Sequence, residues 1–370
     1  MRVIKSNFMI IMSLKKILFK NNIYIRLFIF LMFELLLQSC ETERYAKQGV
    51  SFVASVKGVQ ITTIGITKKG RVFVNAPRWR NGVPFSVAEI VNGRFIPYPN
   101  QAMNSWEIGN TINDMKFIAV QAVYAKGDFL YVVDTANPMF TGTIISPRVF
   151  VFNTLTNTLV KTYKLPDTVY TNNSYINDIR VDEGNRRIYM TDSGVPGLIV
   201  INLDTDESIR LLHEHAWTTA ETNFLTIKGK KWERTVHSDG IALNKNADTL
   251  FIHALTGYTL YGIPTAVLIK PSLLPTVKPL AIRTAAVDGM IMDDRGYLYY
   301  GDLENRIIQY LEPNRKIIRT LVNNSSVVNW PDGFALHKKF LYYVNSRIQD
   351  TALGQDVDDY EFTIYKVPVP

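Results

Sequence analysis

One short pattern returns six times along this chain, and it restricts the possible folds more than any other feature. Each copy opens on a polar residue, runs into a short apolar strand, turns, and continues as a second strand rich in Leu, Tyr and Val. The clearest copies are Val287-Asp288-Gly289-Met290-Ile291-Met292, Ser238-Asp239-Gly240-Ile241-Ala242-Leu243 and Pro331-Asp332-Gly333-Phe334-Ala335-Leu336. Asn177-Asp178-Ile179-Arg180-Val181 is a fourth, and weaker copies begin at Thr62 and Gln121. The leading column is Thr62, Gln121, Asn177, Asp239, Asp288 and Asp332, with steps of 59, 56, 62, 49 and 44 residues. Strand-rich units at a period of roughly 40–60 residues mark a β-propeller, because one blade cannot bury both faces without neighbours. The expected fold is all-β, a single six-bladed β-propeller whose column residues ring one mouth of a central channel.

The strands can be assigned in order. Blade one takes residues 61–67, 71–76, 85–91 and 94–98. Its last two strands are joined by Asn92-Gly93, the strongest short hairpin signal. Blade two takes 130–134, 148–153 and 159–165 after its inner strand, and blade three runs from Asn177 to Leu212. Residues 213–235 are the least periodic and are expected to hold an inserted loop or short helix. Blade four runs from Asp239 to about Ile269, and blade five includes 297–301, 306–311 and 316–322. Blade six is one strand short, and residues 51–56 precede blade one unassigned. That N-terminal strand is expected to complete the last blade and close the ring, which removes an exposed sheet edge. The propeller is therefore placed at 51–370.

The formal charge of +8 is mostly a property of the start of the chain. Residues 1–40 hold Arg2, Lys5, Lys15, Lys16, Lys20 and Arg26 against Glu34, which leaves about +3 for the rest. Without a basic stripe interleaved with aromatics, nucleic acid is not an expected partner. The one cysteine, Cys40, cannot form an internal disulfide. It follows a basic start and an apolar run of 11 residues between Arg26 and Gln38, too short to span a bilayer comfortably. Leu37-Gln38-Ser39-Cys40 resembles a bacterial lipoprotein signal, which implies lipidation of Cys40 and attachment to a membrane of the cell envelope. Residues 1–40 then form the signal peptide and 41–50 a polar tether.

Asp239, Asp288 and Asp332 each precede Gly, and Asp-Gly is common where a chain bends and takes positive φ. Their shared register argues for more than turns. Three carboxylates and an amide in a narrow mouth are costly unless a cation is present or a proton is taken up. A divalent ion such as Ca²⁺ prefers these oxygen donors, with Asn177, Asp239 and Asp288 as its ligands. Water on such an ion would attack an ester or lactone carbonyl, with Asp288 or Asp239 as base. A small cationic organic molecule meets the same electrostatic need without chemistry. Gln121, Asp332, Thr62 and His237 are further candidates to line the mouth, although a surface position suits His237 better. His213 and His215 lie in the irregular segment and form no metal motif. A G-x-S-x-G elbow and a glycine-rich phosphate loop are both missing from the sequence.

Two families resemble this chain. Asn75-Ala76-Pro77-Arg78-Trp79-Arg80-Asn81-Gly82-Val83-Pro84 and Pro97-Tyr98-Pro99 are similar to a series found early in the yellow and major royal jelly proteins. Ile188-Tyr189-Met190-Thr191-Asp192-Ser193-Gly194 extends the likeness, which runs from about residue 50 to 365. It implies a six-bladed propeller and permits amine binding. A looser resemblance is to the regucalcin and gluconolactonase family, in which Asp288, Asp239 and Asn177 match metal- and substrate-binding positions. That family's first-blade glutamate ligand falls at or near Thr62 here. Small-molecule binding at an acidic mouth is the leading expectation. A metal-dependent lactonase-like hydrolase and a protein-interaction scaffold are the alternatives.

Overall fold

The computed structural model describes residues 49–370; Cys40, the expected signal segment and most of the expected tether lie outside them. The first strand, β1 (Ser51–Lys57), is followed by blade one: β2 (Ile64–Ile66), β3 (Val72–Asn75), β4 (Val87–Val91) and β5 (Arg94–Pro97). Blade two is β6 (Val120–Lys126), β7 (Phe129–Asp134), β8 (Arg148–Asn153) and β9 (Thr158–Lys164). Blade three is β10 (Ile176–Asp182), β11 (Arg187–Asp192), β12 (Gly197–Asn202) and β13 (Ser208–Leu211). A separate hairpin follows, β14 (Phe224–Ile227) and β15 (Lys230–Glu233). Blade four is β16 (Ser238–Leu243), β17 (Thr249–Ala254), β18 (Thr259–Pro264) and β19 (Leu280–Arg283). Blade five is β20 (Met290–Met292), β21 (Leu298–Asp302), β22 (Ile307–Leu311) and β23 (Ile318–Val322). Blade six is β24 (Pro331–His337), β25 (Phe340–Asn345) and β26 (Glu361–Pro368), with β1 as its outer strand.

Each blade is a four-stranded antiparallel sheet, so the described residues form a six-bladed β-propeller. The closure is as the sequence implies: β1 pairs with β26 from Ser51↔Lys366 to Lys57↔Glu361. Apolar faces of neighbouring blades interlock. Phe73 and Val87 of blade one meet Val132, Phe150 and Phe152 of blade two. At the seam, Ile64 and Val74 pack on Ala335, Phe362 and Ile364 of blade six. The blade-one turn at Asn92-Gly93 places both residues at positive φ, which matches the right-handed twist of a two-residue hairpin.

Three local expectations are corrected. Residues 213–235 hold the β14–β15 hairpin, because Phe224-Leu225-Thr226-Ile227 alternates and Lys228-Gly229 turns with both residues at positive φ. Leu225 and Ile227 are buried against Leu255, Leu303 and Trp330, so this hairpin is a fixed wall. Blade four continues past Ile269: a short helix, Thr265–Ile269, and a 3₁₀ segment, Pro271–Thr276, precede β19. In blade one, the inner strand begins only at Ile64. Upstream, the N–H and hydroxyl of Thr63 both donate to Asn75 Oδ1, which replaces ladder pairing there.

The last residue of the second strand recurs as a buried polar clasp. Asp134 ends β7 and accepts the N–H groups of Ile118, Ala119 and Ala136, and Arg148 donates to it at 3.1 Å. Asp192 ends β11, accepts from Tyr175, Gly194 and Val195, and is paired with Arg210 at 3.0 Å. Both carboxylates are fully buried. Removing one partner of such a pair leaves an uncompensated charge in the interior. Arg148→Ala is therefore expected to destabilise the fold by about 3–5 kcal/mol in urea denaturation, and the double variant Asp134→Asn/Arg148→Ala to recover part of the loss.

Candidate functional site

The inner strands do not run regularly past the column residues. Strand pairing slips between Val120 and Ala122, between Ile176 and Ile179, between Ser238 and Ile241, and between Pro331 and Phe334. Gln121, Asn177, Asp239 and Asp332 each sit inside one of these bulges. A bulge re-aims a side chain at a strand end, and here it turns the column toward the channel.

The Asp-Gly steps are not turns. Asp239-Gly240 and Asp332-Gly333 lie within β16 and β24, and none of Gly240, Gly289 or Gly333 takes the left-handed backbone. The glycines are required by neighbouring backbone. A Cβ on Gly240 would fall on the carbonyl oxygen of Asp288, and one on Gly289 would fall on that of Asp332. One on Gly333 would strike the Thr62–Thr63 backbone, where the Gly333 N–H donates to Thr62 O at 2.9 Å. The same residues that bear the acids thus let adjacent blades close on each other. Gly289→Ala is expected to cost about 1–3 kcal/mol through overpacking, seen as a lower melting temperature with the fold retained.

These side chains meet at a cavity of about 490 Å³. Gln121, Asn177, Asp239, Asp288 and Asp332 line its acidic and amide floor, and Trp79, Phe140, Tyr175, Trp232 and Trp330 form aromatic walls. A directed chain of hydrogen bonds runs around the floor. Trp79 Nε1 donates to Tyr175 Oη (2.6 Å), and Tyr175 Oη donates to Gln121 Oε1 (2.8 Å). Gln121 Nε2 donates to Asn177 Oδ1 (3.3 Å), and Asn177 Nδ2 donates to Asp239 Oδ2 (2.7 Å). From the other side, Trp330 Nε1 donates to Asp288 Oδ2 at 2.5 Å. Trp330 holds this position at φ 57°, an uncommon backbone for a bulky residue. Phe140 caps the wall by stacking on Tyr175 at 4.2 Å.

Among the described residues, none of the three acids has an ion-pair partner. Burial, and then the neighbouring carboxylates of Asp288, Asp332 and Asp178, push Asp239 well above the usual carboxylate range. Burial and Asp288 do the same to Asp332. Burial raises Asp288 to about 6, restrained by the bonds it receives from Trp330 and Asp239. The three carboxyl groups therefore form a coupled set displaced toward the protonated form.

The expected metal ligands Asn177, Asp239 and Asp288 meet at this floor, each engaged in hydrogen bonds. The Asn177 amide oxygen, its one metal-binding atom, accepts from Gln121, and its NH₂ faces Asp239 and Ser193. Among the described residues, no three His, Cys, Asp or Glu side chains are grouped to hold a metal. Thr62 is buried beneath the floor with its hydroxyl on Asn75 Oδ1 and does not line the cavity.

The model of one family, the major royal jelly proteins, matches residues 121–370. The chain belongs to the major royal jelly protein family. The protein yellow of Drosophila yakuba is 32% identical over 165 residues, covering 40% of this chain and 29% of the relative. The protein yellow of Drosophila melanogaster is 31% identical over 165 residues, with the same coverage of each chain. The aligned stretch thus spans less than a third of these relatives. A solved luciferin-regenerating enzyme shares the fold at 9% identity and a TM-score of 0.53, covering 86% of this chain and 95% of that one.

In this royal-jelly-family propeller, His237 stands beside the cavity without lining it. Its Nδ1 accepts from Ala220 N–H, and burial lowers its proton affinity. His213 and His215 occupy the segment between blade three and the hairpin; His213 Nδ1 accepts from Arg210, and His215 packs edge-on to Trp217. Trp79 and Arg80 both line the cavity. Arg80 ties the loop to Gln60 and to Gln355 O. Sequence reasoning missed Tyr175, Trp232, Phe140 and Trp330. Tyr175 and Trp330 carried a signal, since each stands two residues before its column residue, as His237 does.

Proposed function

We propose that this royal-jelly-family propeller holds a small organic cation with a flat apolar body. The observation that carries this is three buried carboxyl groups meeting without a cationic partner at the floor of an aromatic-walled cavity. Asp288 supplies the countercharge, and protonated Asp239 and Asp332 serve as hydrogen-bond partners. Trp79, Trp232 and Trp330 supply faces that attract a cation and bury an apolar body. The volume lies within the usual range for small-molecule sites. The family matches the reading without supplying the ligand. The start of the chain supports placement in a bacterial envelope, tethered through lipidated Cys40. Conversion of a Cys40→Ser variant to an unlabelled form in a palmitate-labelling experiment tests that part.

Tryptophan fluorescence titration with phenethylamine, against neutral phenethyl alcohol, tests the ligand class. The amine is expected to quench at much lower concentration, and Asp288→Asn to remove the difference. Equal binding of amine and alcohol by the unaltered protein rules the reading out.

A further inference from the structure

The opposite mouth of the propeller opens into a second, larger cavity of about 1000 Å³. It is lined by the turns that join first and second strands, from Lys126 of blade two to Lys338 and Lys339 of blade six. Its polar character differs from that of the acidic mouth. Lys126, Lys245, Lys338 and Lys339 line it and make no ion pair among the described residues. Asp293 is paired with Arg295 at 2.7 Å. Asp182, whose oxygens accept from the neutral Asn185, Glu183 and Asp294 remain against the four lysines.

Arg180 forms the floor. It is 6% exposed, is paired with Asp178 at 3.0 Å, and lies over the Tyr124 ring. Its Nη2 donates to Met290 O at 2.6 Å, so the guanidinium reaches from blade three to blade five. Its Nε has no hydrogen-bond partner, a costly condition for a buried donor. A funnel with four lysines at its rim, none of them in an ion pair among the described residues, presents the charge that a phosphate group needs.

The path of the chain adds a second, independent observation. Phe340, next to Lys339, pairs with Pro368, and Ser51 pairs with Lys366. The Val369 N–H also donates to Lys339 O. The first residue of β1 therefore sits at this rim, and any segment leading into the propeller enters on this side. Nine residues separate Cys40 from Val50, a reach of at most about 35 Å when extended.

We propose that this lysine-rimmed funnel binds a phosphate group, supplied by the headgroup of an anionic lipid. The phosphate site stands on the funnel itself; the lipid as its source rests on the reading of Cys40 as a membrane anchor. The acidic cavity then opens on the face turned away from the membrane.

Residues 49–370 close into a ring with their own core, so a chain beginning at Glu41 tests this without the anchor. Its co-sedimentation with vesicles of phosphatidylcholine, with and without phosphatidylglycerol, is measured at low and high salt. Binding is expected with phosphatidylglycerol alone and is weakened by salt. Lys245→Ala/Lys338→Ala/Lys339→Ala is expected to weaken it on the order of 100-fold. These lysines are remote from the acidic cavity, so phenethylamine titration of the same samples reports folding and the other site separately. Equal binding to both vesicle types, or undiminished binding by the triple variant, overturns the proposal. A thermal shift with inorganic pyrophosphate but no vesicle binding overturns the lipid as the source. Failure of amine binding alone counts against the proposed function and leaves this site standing.

Discussion

Deleting residues 41–56 is expected to lower the melting temperature by about 10 °C or more. The deletion removes nearly all of β1 and with it the outer strand of blade six. Ala54 is buried, and Val53 and Val56 pack into the seam between blades six and one. Their loss uncovers Phe362 and Ile364, both fully buried in the intact ring. At about 1.5–3 kcal/mol for each large apolar side chain returned to water, the total exceeds a typical single substitution. The uncovered β26 also becomes an unprotected edge, so faster aggregation should accompany the loss. A truncated protein that melts with the parent would show that the ring does not depend on this closure.

The second large effect is a pH dependence centred on Asp288. In the proposed function, cation binding requires its carboxylate, whose proton is held up to about 6. Affinity for phenethylamine should fall about tenfold from pH 7 to pH 5, and titration calorimetry across that range would show it. The unliganded protein should respond in the opposite sense. A carboxyl whose folded pKa lies above its unfolded value binds more protons when folded, so stability falls as pH rises between those values. For Asp288 the window is roughly pH 4 to 6, and the loss by neutral pH is about 3 kcal/mol. Asp239 and Asp332 are raised in the same direction and add to the decline. Asp288→Asn should therefore be more stable than the parent at pH 7 and similar at pH 4. It should also lose the ligand-induced rise in melting temperature. The difference between the two proteins isolates this group from carboxylates held low by basic partners, such as Asp114 and Asp350. A variant with the same pH profile as the parent would show that Asp288 is not the ionising group.

Much of the site was legible because Asp-Gly serves packing and chemistry together. The glycines mark where one blade's backbone meets the next, and the preceding residue is necessarily at the channel. Thr62 shares that register yet withdraws, because Asn75 offers its hydroxyl a buried partner. Trp232 was not legible, since it comes from a hairpin inserted between blades and reaches the cavity by packing on Trp330 at 4.9 Å. Phe140 was equally hidden. It takes positive φ in a loop and stacks on Tyr175, a contact without any repeat behind it.

By itself, the sequence determined the number of blades, the strand that closes the ring, and the column of polar residues at the start of each inner strand. Those follow from local periodicity and from the need of each apolar face to meet a neighbour. The tertiary structure decided which column members share a cavity, which stay bonded within their own blade, and which aromatic walls enclose them. Residues some 50 positions apart come into contact only when the ring closes, and bulges then set the direction in which each side chain points. Neither the closure distance nor the bulge is written in the spacing of the repeat.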